Sequence, residues 1–199
     1  MSLIDGSYFK NEIYIPNILE NGSYTDDITD AIEKYEPDLL NLLLGYELYK
    51  ALLSDLNNGT PQSQRFKDLV NGAEFTLRAR LLKWDGLKNM IAYYVYFNYV
   101  YYNNIHLSGV GSMQIDAENS KRVSPFDKLQ VAWDRFQKQY AAFDFYETEL
   151  YFRDEGMKVD NLPGTFNMLP TAYNFLYTNK SDYSEWVFTP IYDKNIFSL

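Results

Sequence analysis

The sequence predicts a mainly α-helical protein, a helical bundle built around two long helices. Two long stretches repeat apolar residues every three or four positions, as helices with one buried face do. A hydrophobic fraction of 46% in 199 residues is enough for a folded core. We expect the two long helices at about residues 84–105 and 124–154. Their repeats are Leu87, Met90, Tyr94, Phe97 and Tyr101, and then Phe126, Leu129, Trp133, Phe136, Tyr140, Phe143 and Leu150.

Three regions follow from these patterns. Residues 1–24 contain little helical periodicity and predict an extended N-terminal arm that ends in a turn at Asn21 and Gly22. Residues 25–156 form the predicted helical domain. Residues 157–199 hold three prolines and nine aromatic residues, and they predict an irregular C-terminal segment. Because disordered tails are poor in aromatic residues, we expect this segment to bury against its own helical domain or a neighbouring subunit.

The first helices are defined by capping residues and leucines. Thr25 is a predicted N-cap, and a helix is expected from there to about Tyr35. Pro37 is expected to open a second short helix that Gly45 closes, and a third helix follows over residues 46–56. The leucines of these helices are expected to form one continuous ridge. They are Leu39, Leu40, Leu43, Leu44, Leu48, Leu52, Leu53 and Leu56.

The middle of the chain is less regular. Thr60 and Pro61 are expected to start another short helix that ends near Gly72. Residues 74–82 alternate apolar and polar side chains as a strand does, although a helix fits them as well. Residues 105–123 join the two long helices and predict an extended or hairpin loop that projects from their end. The candidate residues of this projecting loop are Leu107, Gly109, Gly111, Gln114, Glu118, Asn119 and Arg122.

Aromatic residues surround the first long helix instead of forming one stripe. A helix that is apolar on every side must be covered on every side, either by its own domain or by a second subunit. The candidate subunit interface is Tyr93, Tyr94, Tyr96, Phe97, Tyr99, Tyr101 and Tyr102. Aromatic residues of the C-terminal segment are candidates for a docking tail. These are Phe166, Tyr173, Trp186 and Phe188.

Residue types argue against catalysis. The chain has no cysteine and one histidine, His106, so thiolate chemistry and sites with several histidines are excluded. Asp26, Asp27 and Asp30 have the spacing of a magnesium site, but their place at a helix N-terminus explains them without a metal. We therefore expect no enzyme activity, no metal and no cofactor. A magnesium-dependent enzyme that uses these three aspartates is a remote alternative, and a glycan-binding module with exposed Tyr and Trp is a nearer one.

Charge is distributed unevenly. The chain carries a net charge of −9, with −8 in residues 1–55 and +3 in residues 56–125. An acidic chain is repelled by phosphate, which disfavours sequence-specific nucleic-acid binding. The two regions of opposite charge could instead face each other across a subunit boundary. No segment approaches 18 apolar residues, so a membrane partner is not expected.

Two runs of residues carry a family resemblance. The run TDDITDAIEKYEPDLL at residues 25–40, followed by LLGYELYK at residues 43–50, resembles the opening of the helical head–tail connector proteins of tailed phages and prophages. The later order is also similar: an aromatic long helix, Gly109 to Gly111, Glu118 to Ser120, and a helix with Trp133. The resemblance covers about residues 10–150.

The resemblance implies a structural virion protein without an active site. Such subunits assemble with themselves into a ring of about a dozen copies next to the portal, and they join the head to the tail. Its partners would be its own copies, the portal and tail components. DNA would pass through the ring, and an acidic inner surface, for which residues 1–55 are the candidates, would let it slide. The implied location is the virion, after assembly in the cytoplasm of the bacterial host.

Overall fold

The computed structural model describes residues 2–15, 23–77, 79–103, 106–108, 111–113, 126–141, 169–189 and 191. These residues are mainly helical, as predicted. The α-helices described are α1 (Ser23–Leu44), α2 (Tyr46–Asp55), α3 (Gln64–Asn71), α4 (Leu87–Asn103), α5 (Phe126–Tyr140) and α6 (Ala172–Thr178). Within these residues, no helix is long and apolar enough to cross a membrane.

Short antiparallel strand pairs lie between the helices. They are β1 (Leu56–Asn57) with β2 (Thr60–Pro61), β3 (Ala73–Leu77) with β4 (Arg80–Trp84), and β5 (His106–Ser108) with β6 (Gly111–Met113). The β3–β4 pair resolves the ambiguity at residues 74–82 in favour of strands. Phe75 and Trp84 are buried, whereas the flanking Glu74 and Lys83 are exposed. Successive side chains therefore point to the buried and the exposed face of the hairpin in turn.

The described chain divides into two compact units. Unit 1 contains Met1–Leu39 and Lys88–Phe136, and unit 2 contains Leu40–Leu87 and Gln137–Leu199. Unit 1 therefore holds the arm and most of α1, α4 and α5, and unit 2 holds α2, α3, the β3–β4 hairpin and α6. Each unit has its own buried apolar residues, such as Ile28 and Phe97 in unit 1 and Leu48 and Trp84 in unit 2.

Helix α1 is longer than predicted, because it begins at Ser23 and continues through Pro37 to Leu44. The predicted cap at Thr25 and the predicted break before Pro37 are both wrong. A proline inside a helix removes one backbone hydrogen bond. Burial of Ile32 and Leu39 on either side of Pro37 offsets that loss, because both side chains are almost fully removed from water.

Several other boundaries differ from the predictions. Thr60 and Pro61 form strand β2 instead of opening a helix, and α3 starts after Ser63. The carboxylate of Asp55 accepts hydrogen bonds from the backbone amides of Gln62 and Ser63, which fixes the chain before α3. Most of the predicted leucine ridge is buried, but Leu53 is exposed and Leu56 half-buried.

The ends of the two predicted long helices are only partly described. Helix α4 matches its prediction to within three residues at each end. Helix α5 runs from Phe126 to Tyr140, and its predicted cap at Ser124 and its continuation to residue 154 lie outside the described residues. Two 3-10 turns, Gly6–Tyr8 and Asn11–Ile13, interrupt the N-terminal arm that was predicted to be extended.

Candidate assembly interface

Helix α4 is covered by its own chain over most of its length. Tyr93, Tyr96 and Phe97 are buried, and Tyr94, Tyr99 and Tyr101 are half-buried. A second subunit is therefore not needed to cover the first three turns. Among the residues predicted for a subunit interface, Tyr102 is the exposed one, with 58% of its surface accessible.

Aromatic pairs join α4 to α5 within unit 1. The ring of Tyr94 lies 5.1 Å from that of Phe136, and the ring of Phe97 lies 4.7 Å from that of Trp133. The order of the partners reverses between the helices, so α4 and α5 run antiparallel. Phe126, the first residue of α5, consequently lies toward the end of the pair where α4 finishes at Tyr102 and Asn103.

This end of the helix pair presents exposed aromatic surface. Tyr102 stacks on the buried ring of Tyr35 with a centroid separation of 6.2 Å, which holds it against α1. The ammonium of Lys34 lies 5.7 Å from the centre of the Tyr102 ring, a favourable cation–π distance. Phe126 is 40% exposed. We call Tyr102, Phe126 and the β5–β6 hairpin between them in sequence the aromatic end.

The β5–β6 hairpin occupies the predicted projecting loop. Leu107 pairs with Ser112, and Ser108 pairs with Gly111, so the two strands run antiparallel. The two strands, His106–Ser108 and Gly111–Met113, agree with the prediction of a hairpin. The other predicted loop residues lie outside the described part of the chain. They are Gly109, Gln114, Glu118, Asn119 and Arg122.

A tail clasp lies in unit 2. We define it as residues 182–189, which follow α6. Its backbone amides at Val187 and Thr189 donate to the carbonyls of Leu44 and Leu42, and the indole N–H of Trp186 donates to that of Leu43 at 2.7 Å. The last carbonyls of a helix have no partner inside it. The clasp therefore caps the C-terminus of α1.

Ionic and aromatic contacts also hold the tail clasp. Arg65 of α3 forms an ion pair of 3.2 Å with Glu185, and its backbone carbonyl accepts a hydrogen bond from the hydroxyl of Tyr183. Among the predicted docking residues, Tyr173 is buried against the rings of Trp186 and Phe188. Phe166 lies outside the described residues. The described tail thus packs on helices of its own unit.

Replacing Trp186 with phenylalanine tests the helix-capping role of the clasp. The change keeps most of the aromatic surface but removes the donor to the buried end of α1. We expect the free energy of unfolding to fall by about 1–2 kcal/mol, measured by urea denaturation. Val187→Ala is the matched control, because the Val187 side chain is 65% exposed and its backbone hydrogen bond is kept. Equal effects of the two variants would contradict a capping role for the indole.

The acidic cluster of Asp26, Asp27 and Asp30 is only partly described. Asp27 and Asp30 are exposed on α1, and the side chain of Asp26 lies outside the described part. Among the residues that the structure describes, no three His, Cys, Asp or Glu side chains lie together in a way that could hold a metal ion. The side chain of His106 also lies outside that part.

Sequence reasoning assigned Phe126 to the packed stripe of the second long helix and missed its exposure. Its position at the start of α5, next to the long loop, was a usable signal, because a helix end has fewer neighbours than its middle. Phe126 and Tyr102 are the exposed aromatic residues that the structure describes at the aromatic end.

The described residues define a mainly helical protein with two exposed aromatic side chains at the aromatic end. Residues 40–150, more than half of the chain, match a family described as "Family of unknown function (DUF6712)", and the chain belongs to this family. The matched region includes the Gly45 turn, α4 and the aromatic end. No curated protein and no solved structure matches the sequence.

Proposed function

We propose that this chain is a structural subunit of a phage or prophage head–tail connector, which assembles with copies of itself into a ring next to the portal. One support is the folding of the two runs that carry the resemblance. They form α1 and α2, joined at Gly45, whose φ of 75° is a conformation that glycine adopts readily. This succession of a helix, a glycine turn and a second helix supports the proposal.

The aromatic end is the observation that carries the proposal. Protein interfaces are enriched in aromatic residues at their centres. Here Tyr102 is held by stacking on Tyr35, so less side-chain entropy is lost when a partner covers it. The β5–β6 hairpin follows Tyr102 by a few residues in the sequence. We propose that this end contacts a neighbouring subunit or the portal.

The exposed side of α1 fits the proposed DNA path. Asp27, Asp30, Glu33 and Asp38 are all exposed along this helix. Carboxylates repel the phosphate backbone, so a ring that turned α1 inward would pass DNA without binding it tightly. The virion location is part of the same proposal.

Co-expression with the portal protein encoded in the same genome tests the proposal. Size-exclusion chromatography with light scattering is expected to show a complex with several copies of this chain, and negative-stain images are expected to show a ring. Tyr102→Ser and Phe126→Ser are each expected to weaken the complex by about thirtyfold or more, the effect of removing an interface aromatic worth about 2 kcal/mol.

Tyr46→Ser is the matched control, because Tyr46 is 67% exposed but belongs to α2 in the other unit. It should leave the complex unchanged. A chain that stays separate from the portal protein at every ratio would contradict the proposed function. A complex that all three variants weaken equally would instead reject the aromatic end as the contact.

The glycan-binding alternative finds less support in the described tail. A sugar platform needs exposed, roughly coplanar rings, whereas the ring of Tyr173 is buried and inclined by 62° to Trp186 and 67° to Phe188. The indole N–H of Trp186 is engaged with Leu43. These contacts favour a role in packing for the three residues.

A further inference from the structure

The described part of the N-terminal arm, residues 2–15, packs within unit 1 through apolar side chains. Its two 3-10 turns alternate with short extended stretches and direct several residues inward. Burial of such side chains stabilises the packed arm by the hydrophobic effect. The buried residues of the arm are Leu3, Ile4, Phe9, Ile13 and Ile15.

An ionised carboxylate holds the second half of the arm. Glu12 accepts a hydrogen bond of 2.9 Å from the hydroxyl of Tyr93 on α4, and the same oxygen lies 3.4 Å from the guanidinium of Arg135 on α5. The hydrogen bond from Tyr93 lowers the pKa of Glu12 below its ordinary value, and Arg135 acts in the same direction. The Glu12 carboxylate therefore stays ionised at neutral pH, and its contacts with Tyr93 and Arg135 are kept.

A different carboxyl group holds the first residues of the arm. Glu36 of α1 is only 3% exposed, and its Oε1 accepts a hydrogen bond of 2.7 Å from the backbone amide of Leu3. Its Oε2 is buried and has no hydrogen-bond partner in the part of the chain that is described. A charged carboxylate with one oxygen unsatisfied is costly at such a site, whereas a neutral carboxyl is tolerated far better.

We infer that Glu36 is a proton-dependent latch for the arm: the neutral carboxyl group holds Leu3 and its neighbours in place, and loss of the proton weakens that hold. The geometry supports this role, because the same buried group both holds the backbone amide of Leu3 and keeps one carboxyl oxygen without a hydrogen-bond partner among the described residues. When the arm leaves, the carboxylate gains access to water and no longer carries the cost of burial. Release of the arm and release of the proton are thus coupled.

The groups around Glu36 set the pH range of the latch. Burial raises its pKa to about 7, against the lowering effect of the backbone amides of Leu3 and Ile4. The positive charge of the amino terminus also lowers the pKa of Glu36. Tyr93 on α4 and Arg135 on α5 engage the arm through Glu12 instead.

The sign of the pH effect follows from the two states. With the arm packed, the pKa of Glu36 is about 7, and with the arm released it returns toward its ordinary value of 4.5. The packed arm therefore binds the proton more tightly. Its hold is complete below about pH 4.5, weakens as the pH rises to 7, and changes little at higher pH.

Hydrogen–deuterium exchange of the full chain tests the latch. Peptides that cover residues 2–9 are followed by mass spectrometry between pH 4.5 and 8. Protection is the intrinsic exchange rate at each pH divided by the measured exchange rate. We expect protection in the wild type to fall by about two orders of magnitude across this range and then to level off. Glu36→Gln should remove this pH dependence, because the amide cannot ionise.

Glu12→Gln is the matched control. It weakens the other carboxyl contact of the arm, so overall protection should drop, but the pH dependence set by Glu36 should remain. Protection of residues 2–9 that does not change with pH in the wild type would overturn the inference, whether or not the variants fold. The same pH-dependent fall in Glu36→Gln would overturn it as well.

Discussion

Replacing Trp84 with alanine is expected to lower the free energy of unfolding by about 3–5 kcal/mol, the usual cost of removing a large buried aromatic side chain. Trp84 is almost fully buried in unit 2, and its ring stacks on that of Phe175 at 6.2 Å. Its indole N–H donates to the carbonyl of Leu69 at 2.9 Å. The change leaves a cavity and also leaves a buried carbonyl without its donor.

Chemical denaturation monitored by circular dichroism measures this effect. Leu81→Ala is the control from the same strand, because Leu81 is 67% exposed on β4. It should change the free energy of unfolding by less than about 0.5 kcal/mol. A loss of under 1 kcal/mol for Trp84→Ala would show that the packing around β4 is not as described.

Gly86→Ala is expected to destabilise the protein by roughly 3 kcal/mol or more. The φ of Gly86 is 91°, and an added Cβ would lie 2.4 Å from the carbonyl oxygen of Val70. Gly72 is equally crowded by the facing backbone, since a Cβ added there would lie 2.4 Å from the carbonyl oxygen of Trp84. An unfavourable φ costs about 1–2 kcal/mol, and forcing two backbones apart adds a similar amount.

The reverse substitution Ala79→Gly is a control for the cost of a positive φ alone, without the clash between two backbone segments. Ala79 lies in the turn between β3 and β4 with a φ of 65°, a conformation that costs an alanine free energy. Glycine relieves this strain but gains freedom in the unfolded chain, so we expect a stabilisation of up to about 1 kcal/mol. Urea denaturation measures both variants. Little or no loss for Gly86→Ala would contradict the close approach of the two backbone segments.

Helices with regular apolar spacing were the most predictable part of the fold. Helix α4 and the turn at Gly45 follow from local patterns, because a 3.6-residue apolar repeat and a glycine after a leucine-rich run are visible in the sequence itself. The continuation of α1 through Pro37 was not predictable in this way. It depends on burial of residues on both sides of the proline, and burial is decided by the rest of the chain.

The candidate interface was also predictable only in part. The sequence identifies α4 as aromatic on all sides, but it does not say which aromatic rings the chain covers itself. Phe97 packs on Trp133 and Tyr94 packs on Phe136, so the middle of α4 is covered by α5. Tyr102, at the end of the helix, stays exposed. Distances between segments far apart in sequence determine that outcome.

Glu36 was missed because an acidic residue beside a proline is typical of a surface turn. A usable signal was its spacing on α1. Ile28, Ile32, Glu36 and Leu40 are four residues apart, and the three apolar members are buried. A charged residue inside an apolar stripe is therefore directed toward the same covered side.

We propose that this chain acts by assembling into a connector between head and tail. Deletion of its gene from the genome that encodes it, followed by electron microscopy of induced lysates, tests this proposal. We expect DNA-containing heads and free tails to accumulate unjoined, and expression of the intact chain from a plasmid to restore joined particles. Normal yields of infectious, fully joined particles without the gene would contradict it.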